Sequence, residues 1–143
     1  MSVPSHLRAY LLAGGGLAAL VGSRVYPDAL PQAVDLPAVV YYVVSTTHKP
    51  SLGGIVEIDR VTIQLDSYAS TRAGADALSA AIEARMKTLS AAPGTAIGQI
   101  EGSGGSVVSD VEVSGPRDDR QPPADGSDDW QYISSVDVTL SLG

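Results

Sequence analysis

The chain of 143 residues contains no cysteine and no phenylalanine. The absence of cysteine excludes a disulfide framework, a thiolate nucleophile and a cysteine-based zinc site. Six tyrosines and one tryptophan supply all of the aromatic volume, so the core must consist mainly of Val, Ile, Leu and Ala. A core of such small side chains favours a thin layer of sheet and helices over a thick globule.

Basic residues are also scarce: nine Lys and Arg stand against sixteen Asp and Glu, which gives a net charge of -7. An ordinary nucleic-acid-binding protein needs a clustered basic surface to neutralise phosphates, so this function class is disfavoured. The negative charge is still compatible with a protein that DNA moves past without binding, because repulsion prevents the polyanion from binding.

No apolar run is long enough to cross a bilayer, and we expect no membrane association. The first 22 residues contain the apolar stretch LLAGGGLAALVG after Arg8, which has some character of a secretory signal. Three successive glycines interrupt it and no small-x-small cleavage site follows. We therefore expect residues 1–22 to form an N-terminal helix with a glycine-rich break, and a cleaved signal is the alternative.

Hydrophobic periodicity predicts two helices and four strands. The predicted helices are Pro4–Ala13 and a longer one from Thr71 to Ser90, and the predicted strands are Ala38–Val44, Ile55–Tyr68, Ser106–Ser114 and Trp130–Leu142. The order α-β-β-α-β-β predicts one α+β domain over residues 1–143, with an antiparallel sheet of about four strands and helices on one face.

The second predicted strand changes phase along its length. Apolar residues occupy one face from Val61 onward, but the opposite face up to Ile58. Because side chains alternate strictly along a strand, this change predicts a bulge near Asp59 and Arg60. It also predicts a long β-hairpin arm with a projecting loop at 45–54, whose apolar residues need a partner to cover them.

The sequence shows no arrangement typical of catalysis or metal binding. His6 and His48 have no ligand spacing and are expected on the surface. The aspartates within 115–129 do not match a helix-loop-helix calcium pattern, and this segment is predicted to be a flexible acidic loop. The glycine-rich segments lack the Lys-Ser/Thr of a phosphate cradle. We expect no enzyme, no catalytic residues, no cofactor and no metal.

The segment LRAYLL followed by LAALVGSRVYPDALPQAVDLPAVVYYVVS resembles the tail-completion (tail-terminator) proteins of long-tailed phages. In that family a helix is followed by a Leu-Val-Gly-x-Arg-Val-Tyr-Pro turn, a proline-containing connector and an apolar strand. The matching residues are Leu17, Leu20, Val21, Gly22, Arg24, Val25, Tyr26, Pro27, Pro31, Leu36 and Pro37. The following RVTIQLDSYASTRAGADALSAAI is also similar, and the resemblance covers about residues 5 to 90.

The resemblance implies a structural virion protein that forms a homo-oligomeric ring, usually of six copies. Such a ring caps the tail tube at the head-proximal end of the tail and joins it to the head-completion or connector protein. DNA passes through the lumen without specific binding, and assembly takes place in the host cytoplasm. Two other functions remain open at this point: a head-completion (stopper) or other minor tail protein, and a secreted small-molecule-binding domain if residues 1–22 are a signal.

The predicted partner-binding site is the polar segment at the tip of the arm. We expect it to contact the tail tube protein or the head connector. Its residues are Ser45, Thr46, Thr47, His48, Lys49, Pro50, Ser51 and Leu52.

Overall fold

The structure is a computed structural model that describes residues 3–14, 16–31, 35–50, 56–97, 106–121 and 131–142. Within these ranges the helices are α1 (Val3–Ala13), α2 (Gly16–Val21) and α3 (Arg72–Ser90). The strands are β1 (Val25–Pro27), β2 (Ala38–Pro50), β3 (Val56–Ala69), β4 (Thr95–Ile97), β5 (Ser106–Gln121) and β6 (Gln131–Leu142). The α+β class is as predicted. None of the helices described is both long enough and apolar enough to cross a membrane.

The strands form one mixed sheet in the order β1-β2-β3-β6-β5-β4. The four long strands in its middle are the four predicted ones, and they pair antiparallel. The predicted number of strands was too low, because β1 and β4 add one short strand at each edge, and β1 pairs with β2 in parallel. Each of these has three residues, which is too few for a period-two pattern to show in the sequence.

The three helices pack on one face of the sheet, where they build the core. The sequence offers Ser70 or Thr71 as the cap of α3, and Thr71 takes this role, since its side chain accepts a hydrogen bond from the backbone N–H of Gly74. Each large aliphatic side chain that the core buries stabilises the fold by about 1.5–3 kcal/mol. The core includes Leu7, Leu11, Leu17 and Val21 from α1 and α2; Leu78, Ile82, Met86 and Leu89 from α3; Val61, Ile63 and Leu65 from β3; and Val136, Val138 and Leu140 from β6.

Arginines tie the N-terminal helices to the rest of the chain. Arg8 Nε donates to the carbonyl oxygen of Val25 at 2.9 Å, and Arg24 Nε donates to that of Pro37 at 2.9 Å. Arg85 of α3 donates to the carbonyl oxygen of Tyr10 at 3.0 Å, and its guanidinium lies 3.7 Å from the centre of the Tyr10 ring. The connector between α2 and β2 is therefore held at both of its ends.

The β2–β3 hairpin contains the predicted bulge. Thr47 pairs with Arg60 but His48 pairs with Ile58, so Asp59 has no partner on β2. A second bulge leaves Val44 without a partner on β3. Residues 45–50, predicted as part of a projecting loop, belong to strand β2, while residues 51–55 lie outside the described residues. The loop prediction began too early because polar residues in a hairpin pair through their backbones, whatever their side chains.

Strand β5 is longer than the sequence predicts. Residues 115–121 were predicted to belong to an acidic loop, but they pair with β6 as far as Gln121 opposite Gln131. Residues 122–130, including Trp130 from the predicted last strand, lie outside the described residues. The register shifts between Ser114 and Arg117, which places Gly115 and Pro116 in a bulge. Composition alone favours a loop there, but the neighbouring β6 supplies hydrogen-bonding partners that composition does not reveal.

Gly115 has a backbone geometry that other residues rarely adopt. Its φ is +112°, and a Cβ added to it would lie 2.8 Å from the backbone oxygen of Ser135. Because that oxygen belongs to the paired strand, it cannot move aside without breaking the β5–β6 ladder.

We expect Gly115→Ala to destabilise the protein by about 2–4 kcal/mol, which lowers the melting temperature by roughly 5–12 °C. The matched control is Gly16→Ala in α2, where an added Cβ meets no atom within 4 Å and φ is not in the left-handed region. Thermal unfolding followed by circular dichroism measures both variants. An unchanged melting temperature for Gly115→Ala would show that the bulge relaxes freely.

Candidate interaction surface

The sheet has a polar face, defined here as the face opposite the helices. A hydrogen bond links β3 to β6 on this face, since the hydroxyl oxygens of Thr62 and Thr139 lie 2.9 Å apart. Asp66 accepts hydrogen bonds at the same carboxylate oxygen from Gln64 at 2.8 Å and from Ser135 at 2.7 Å. This network fixes the side chains of β3 and β6 on a surface that none of the described helices covers.

Ion pairs extend the network to β5. Arg117 donates to both carboxylate oxygens of Asp137, at 2.8 and 3.2 Å. This two-pronged geometry orients both groups, although an exposed pair contributes little to stability. The hydrogen bonds of Asp137 and Asp66 therefore order the centre of the polar face from β3 to β5.

Arg72 anchors the start of α3 to the ends of β5 and β6. Its guanidinium donates to the carboxylate of Asp118 at 3.2 Å and to the carbonyl oxygens of Asp119 at 2.6 Å and Ile133 at 3.0 Å. It also lies 5.3 Å from the centre of the Tyr132 ring. The part of β5 that the sequence suggested to be a loop is thus held by a helix as well as by β6.

Two tyrosines on the polar face stay neutral to higher pH than usual. Burial raises the pKa of the Tyr42 phenol, the nearby Asp66 and Asp137 raise it further, and hydrogen bonding to Gln64 opposes them. Burial also raises the pKa of Tyr68, with Asp66 as the next cause. Both effects are expected where a group that would become negative lies in a partly desolvated, acidic environment.

The polar face is acidic. Among the side chains that the structure describes, the register assigns to this face five carboxylates and two guanidinium groups, a net charge of -3 (five negative, two positive). The carboxylates are Asp66, Asp110, Glu112, Asp119 and Asp137, and the guanidinium groups are Arg60 and Arg117.

Both edges of the sheet are largely open. β1 pairs only with residues 39–41 of β2, and β4 pairs only with residues 106–108 of β5. In the part of the chain that the structure describes, no further strand pairs with the outer edges of β2 beyond residue 42 or of β5 beyond residue 108. We call these segments, residues 43–50 and 109–121, the open β2 edge and the open β5 edge.

Apolar side chains lie exposed at both open edges. Val43 and Val44 on β2 are 44% and 53% exposed, and Val113 on β5 is 40% exposed. The register places Val113 on the helix side of the sheet, opposite Val138, but α3 leaves a groove beside it, and Val113 stays partly exposed. Large apolar residues exposed together at an unpaired edge are typical of a surface that another chain covers.

Most of the predicted partner-binding residues lie on the open β2 edge. Ser45, Thr46 and Thr47 are exposed there. The backbones of His48, Lys49 and Pro50 continue the strand opposite residues 56–58. Ser51 and Leu52 lie outside the described residues. The sequence did not indicate the open β5 edge, because exposure at an edge depends on which strands pair.

A metal site needs several ligating side chains close together. Across the described ranges, no group of three or more His, Asp or Glu side chains could hold a metal ion. The prediction that His6 lies on the surface was wrong, since it is only 6% exposed in α1. The surfaces described so far are suited to contact with other macromolecules.

The fold is α+β, with a helix-covered sheet, two open edges and an ordered polar face, and open edges of this kind are suited to association with other chains. Residues 5–126 match the family of tail completion protein gp17, and the chain belongs to this family. It is thereby a structural tail protein of a virion, as the sequence resemblance implied. No curated protein matches the sequence.

The fold is shared with a solved structure. A chain of the "Virion of native gene transfer agent (GTA) particle" superposes with a TM-score of 0.54 at 19% sequence identity, covering 99% of this chain and 98% of that one. At this level of identity the likeness concerns the fold, which extends over the full length of both chains.

We expect Asp66→Asn to lower the pKa of Tyr42 and of Tyr68 toward their ordinary value, because one of the causes that raise both is the Asp66 charge. The increase in tyrosinate absorbance during alkaline titration measures the change, and Tyr42→Phe and Tyr68→Phe assign the two transitions. The control Asp76→Asn removes one charge from the exposed side of α3 and should leave both transitions in place. Equal shifts in the two variants would mean that net charge, and not the local carboxylate, sets these pKa values.

Proposed function

We propose that the protein is a tail terminator, which forms a ring that caps the tail tube and joins it to the head connector while DNA passes through the lumen. Membership of the tail-completion family supports the place in the tail. The observation that carries the ring is the pair of open edges on opposite sides of one sheet. Two different complementary surfaces on one chain produce a head-to-tail contact, which closes into a ring when the rotation allows it.

The acidic polar face is suited to line the lumen. With the helices on the other side of the sheet, a ring that turns its polar faces inward presents ordered carboxylates, hydroxyl groups and neutral tyrosines to the DNA. The net charge of -3 among the described side chains of this face repels phosphates, so DNA passes without the counterion release that drives binding to basic surfaces.

The hairpin of β2 and β3 is suited to contact the tube or the connector. The last pair between β3 and β6 is Arg60 with Ser141, whereas β2 and β3 continue to pair as far as Pro50 with Val56. The hairpin thus extends beyond the end of β6 along the strand direction. In a ring it stands out from one rim, where the next component of the tail docks.

The shared fold with a chain of a gene transfer agent virion supports a role in a phage-like particle. The alternative of a head-completion (stopper) protein uses the same ring and differs in its neighbours. The alternative of a secreted domain requires removal of residues 1–22, yet Leu7, Leu11, Leu17 and Val21 are fully buried in the core. Losing four such side chains would cost several kcal/mol, a large part of the stability of a domain.

We expect the triple variant S45E/T46E/T47E to fold but to fail in joining heads to tails, because three added charges disrupt a segment that is exposed in the single chain and covered in the assembled tail. The variants are produced in a particle-forming strain that lacks the gene, and electron microscopy counts complete particles, free heads and free tails. The control A73E/A77E/A80E adds the same charge on the exposed side of α3. Complete particles at the wild-type level for S45E/T46E/T47E would refute a contact through this segment.

The position in the particle separates the terminator from a stopper. Gold-labelled antibody against the protein, applied to heads and tails that have not joined, marks the end of free tails if the protein is a terminator. Label on free heads alone identifies a stopper instead.

A further inference from the structure

We propose that neighbouring copies join by antiparallel pairing of the open β2 edge of one copy with the open β5 edge of the next. Val43 then packs beside Val113 of the neighbour, and the sheet continues from copy to copy. This interface rests on the proposed ring and identifies which strands form it.

The first support is a row of apolar side chains that crosses the sheet from one open edge to the other. Val43 pairs with Ile63, Ile63 with Val138, and Val138 with Val113. The two inner members are completely buried, whereas Val43 is 44% and Val113 is 40% exposed. All four lie on the helix side, so Val43 of a second copy, placed beside Val113, continues the row and covers the two exposed ends.

The second support is strand direction. β2, β3, β6 and β5 alternate in direction across the sheet because each adjacent pair is antiparallel. β2 and β5 therefore run in opposite directions. A rotation about an axis along the strands leaves these directions unchanged, so the β2 of one copy meets the β5 of the next antiparallel. The unpaired N–H and C=O groups of both edges can then hydrogen-bond to each other.

The third support is a groove beside Val113 that has room for apolar side chains. It has a volume of about 400 Å³ and lies between α3 and the open β5 edge, lined by Met86, Lys87, Val111, Val113 and Gly115 among others. The exposed side chain of Val43 can pack against the apolar part of this lining, Met86, Val111 and Val113, while Glu83, Lys87 and Ser90 make the rest of it polar. Covering it removes apolar surface from water on both copies.

Charge favours this pairing over that of two β5 edges. Asp110 and Glu112 lie on the polar side of the open β5 edge, and Arg60 lies next to Thr47 on the polar side of the arm. Within the described residues none of these three charges forms an ion pair. Pairing β2 with β5 brings Arg60 toward the two acids, whereas pairing β5 with β5 places acids near acids, which is destabilising.

The absence of native cysteine makes disulfide trapping a direct test. Val43→Cys and Val113→Cys are introduced together in the full chain, which assembles in a particle-forming strain that lacks the gene. Within one copy the two positions are three strand spacings apart, roughly 14 Å. A disulfide requires Cα atoms within about 7 Å, so any bond formed must join two copies.

We expect V43C/V113C in purified particles to give a ladder of covalent multimers on a non-reducing gel, which collapses on reduction. Each single variant should stay monomeric on the gel. The control V43C/E112C moves one thiol by one residue to the polar side of β5, and it should give no ladder. Melting temperatures of the free variants confirm that each still folds.

The possible results distinguish a wrong interface from a wrong ring. Native mass measurement of the complex released from V43C/V113C particles gives the number of copies. A multimer of the expected ring mass without a covalent ladder overturns the β2–β5 interface and leaves the ring intact. A single copy per particle overturns the ring, and the interface with it. A ladder from V43C/E112C equal to that from V43C/V113C overturns the proposed register.

Discussion

The constraint on which the rest of the structure depends is that backbone N–H and C=O groups at the edges of a sheet need partners. The short strand β1 pairs with only one end of β2, and the short strand β4 pairs with only one end of β5. As far as the structure describes the chain, long stretches of β2 and β5 have N–H and C=O groups on their outer sides that pair with no further strand. Around these edges the apolar residues Val43, Val44 and Val113 are partly exposed. Such edges can pair with a further chain, which suits a structural tail protein of a virion.

The two faces of the sheet have different roles: one builds the core, and the other is a candidate contact surface. On one face α3 and the two N-terminal helices bury the Val, Ile and Leu side chains that stabilise the domain. On the other face hydrogen bonds order polar and charged side chains without covering them. With neither Phe nor Cys available, a single apolar layer is the core that this composition can build. The second face is then free for an acidic surface.

Sequence patterns predicted the elements that are both long and half-buried. The apolar stripe along α3 and the strict alternation of β6 could be read from the sequence, because apolar side chains in these elements face the core and polar ones face solvent. The bulge at Asp59 was visible for the same reason, as a change of phase. The cap of α3 was narrowed to Ser70 or Thr71. β1 and β4 were missed because three residues show no period. Residues 115–121 were taken for a loop because their composition is polar.

By itself, the sequence determined the α+β class, the long helices and strands and the family, because hydrophobic periodicity, turn residues and ordered motifs are local properties of the chain. Only the tertiary structure decided where the candidate surfaces lie. Whether Val43 or Val113 is covered depends on which strands end beside them, and pairing partners far apart in sequence decide this. The same holds for the acidic face, whose charges come from β3, β5 and β6 and meet only when the strands pair.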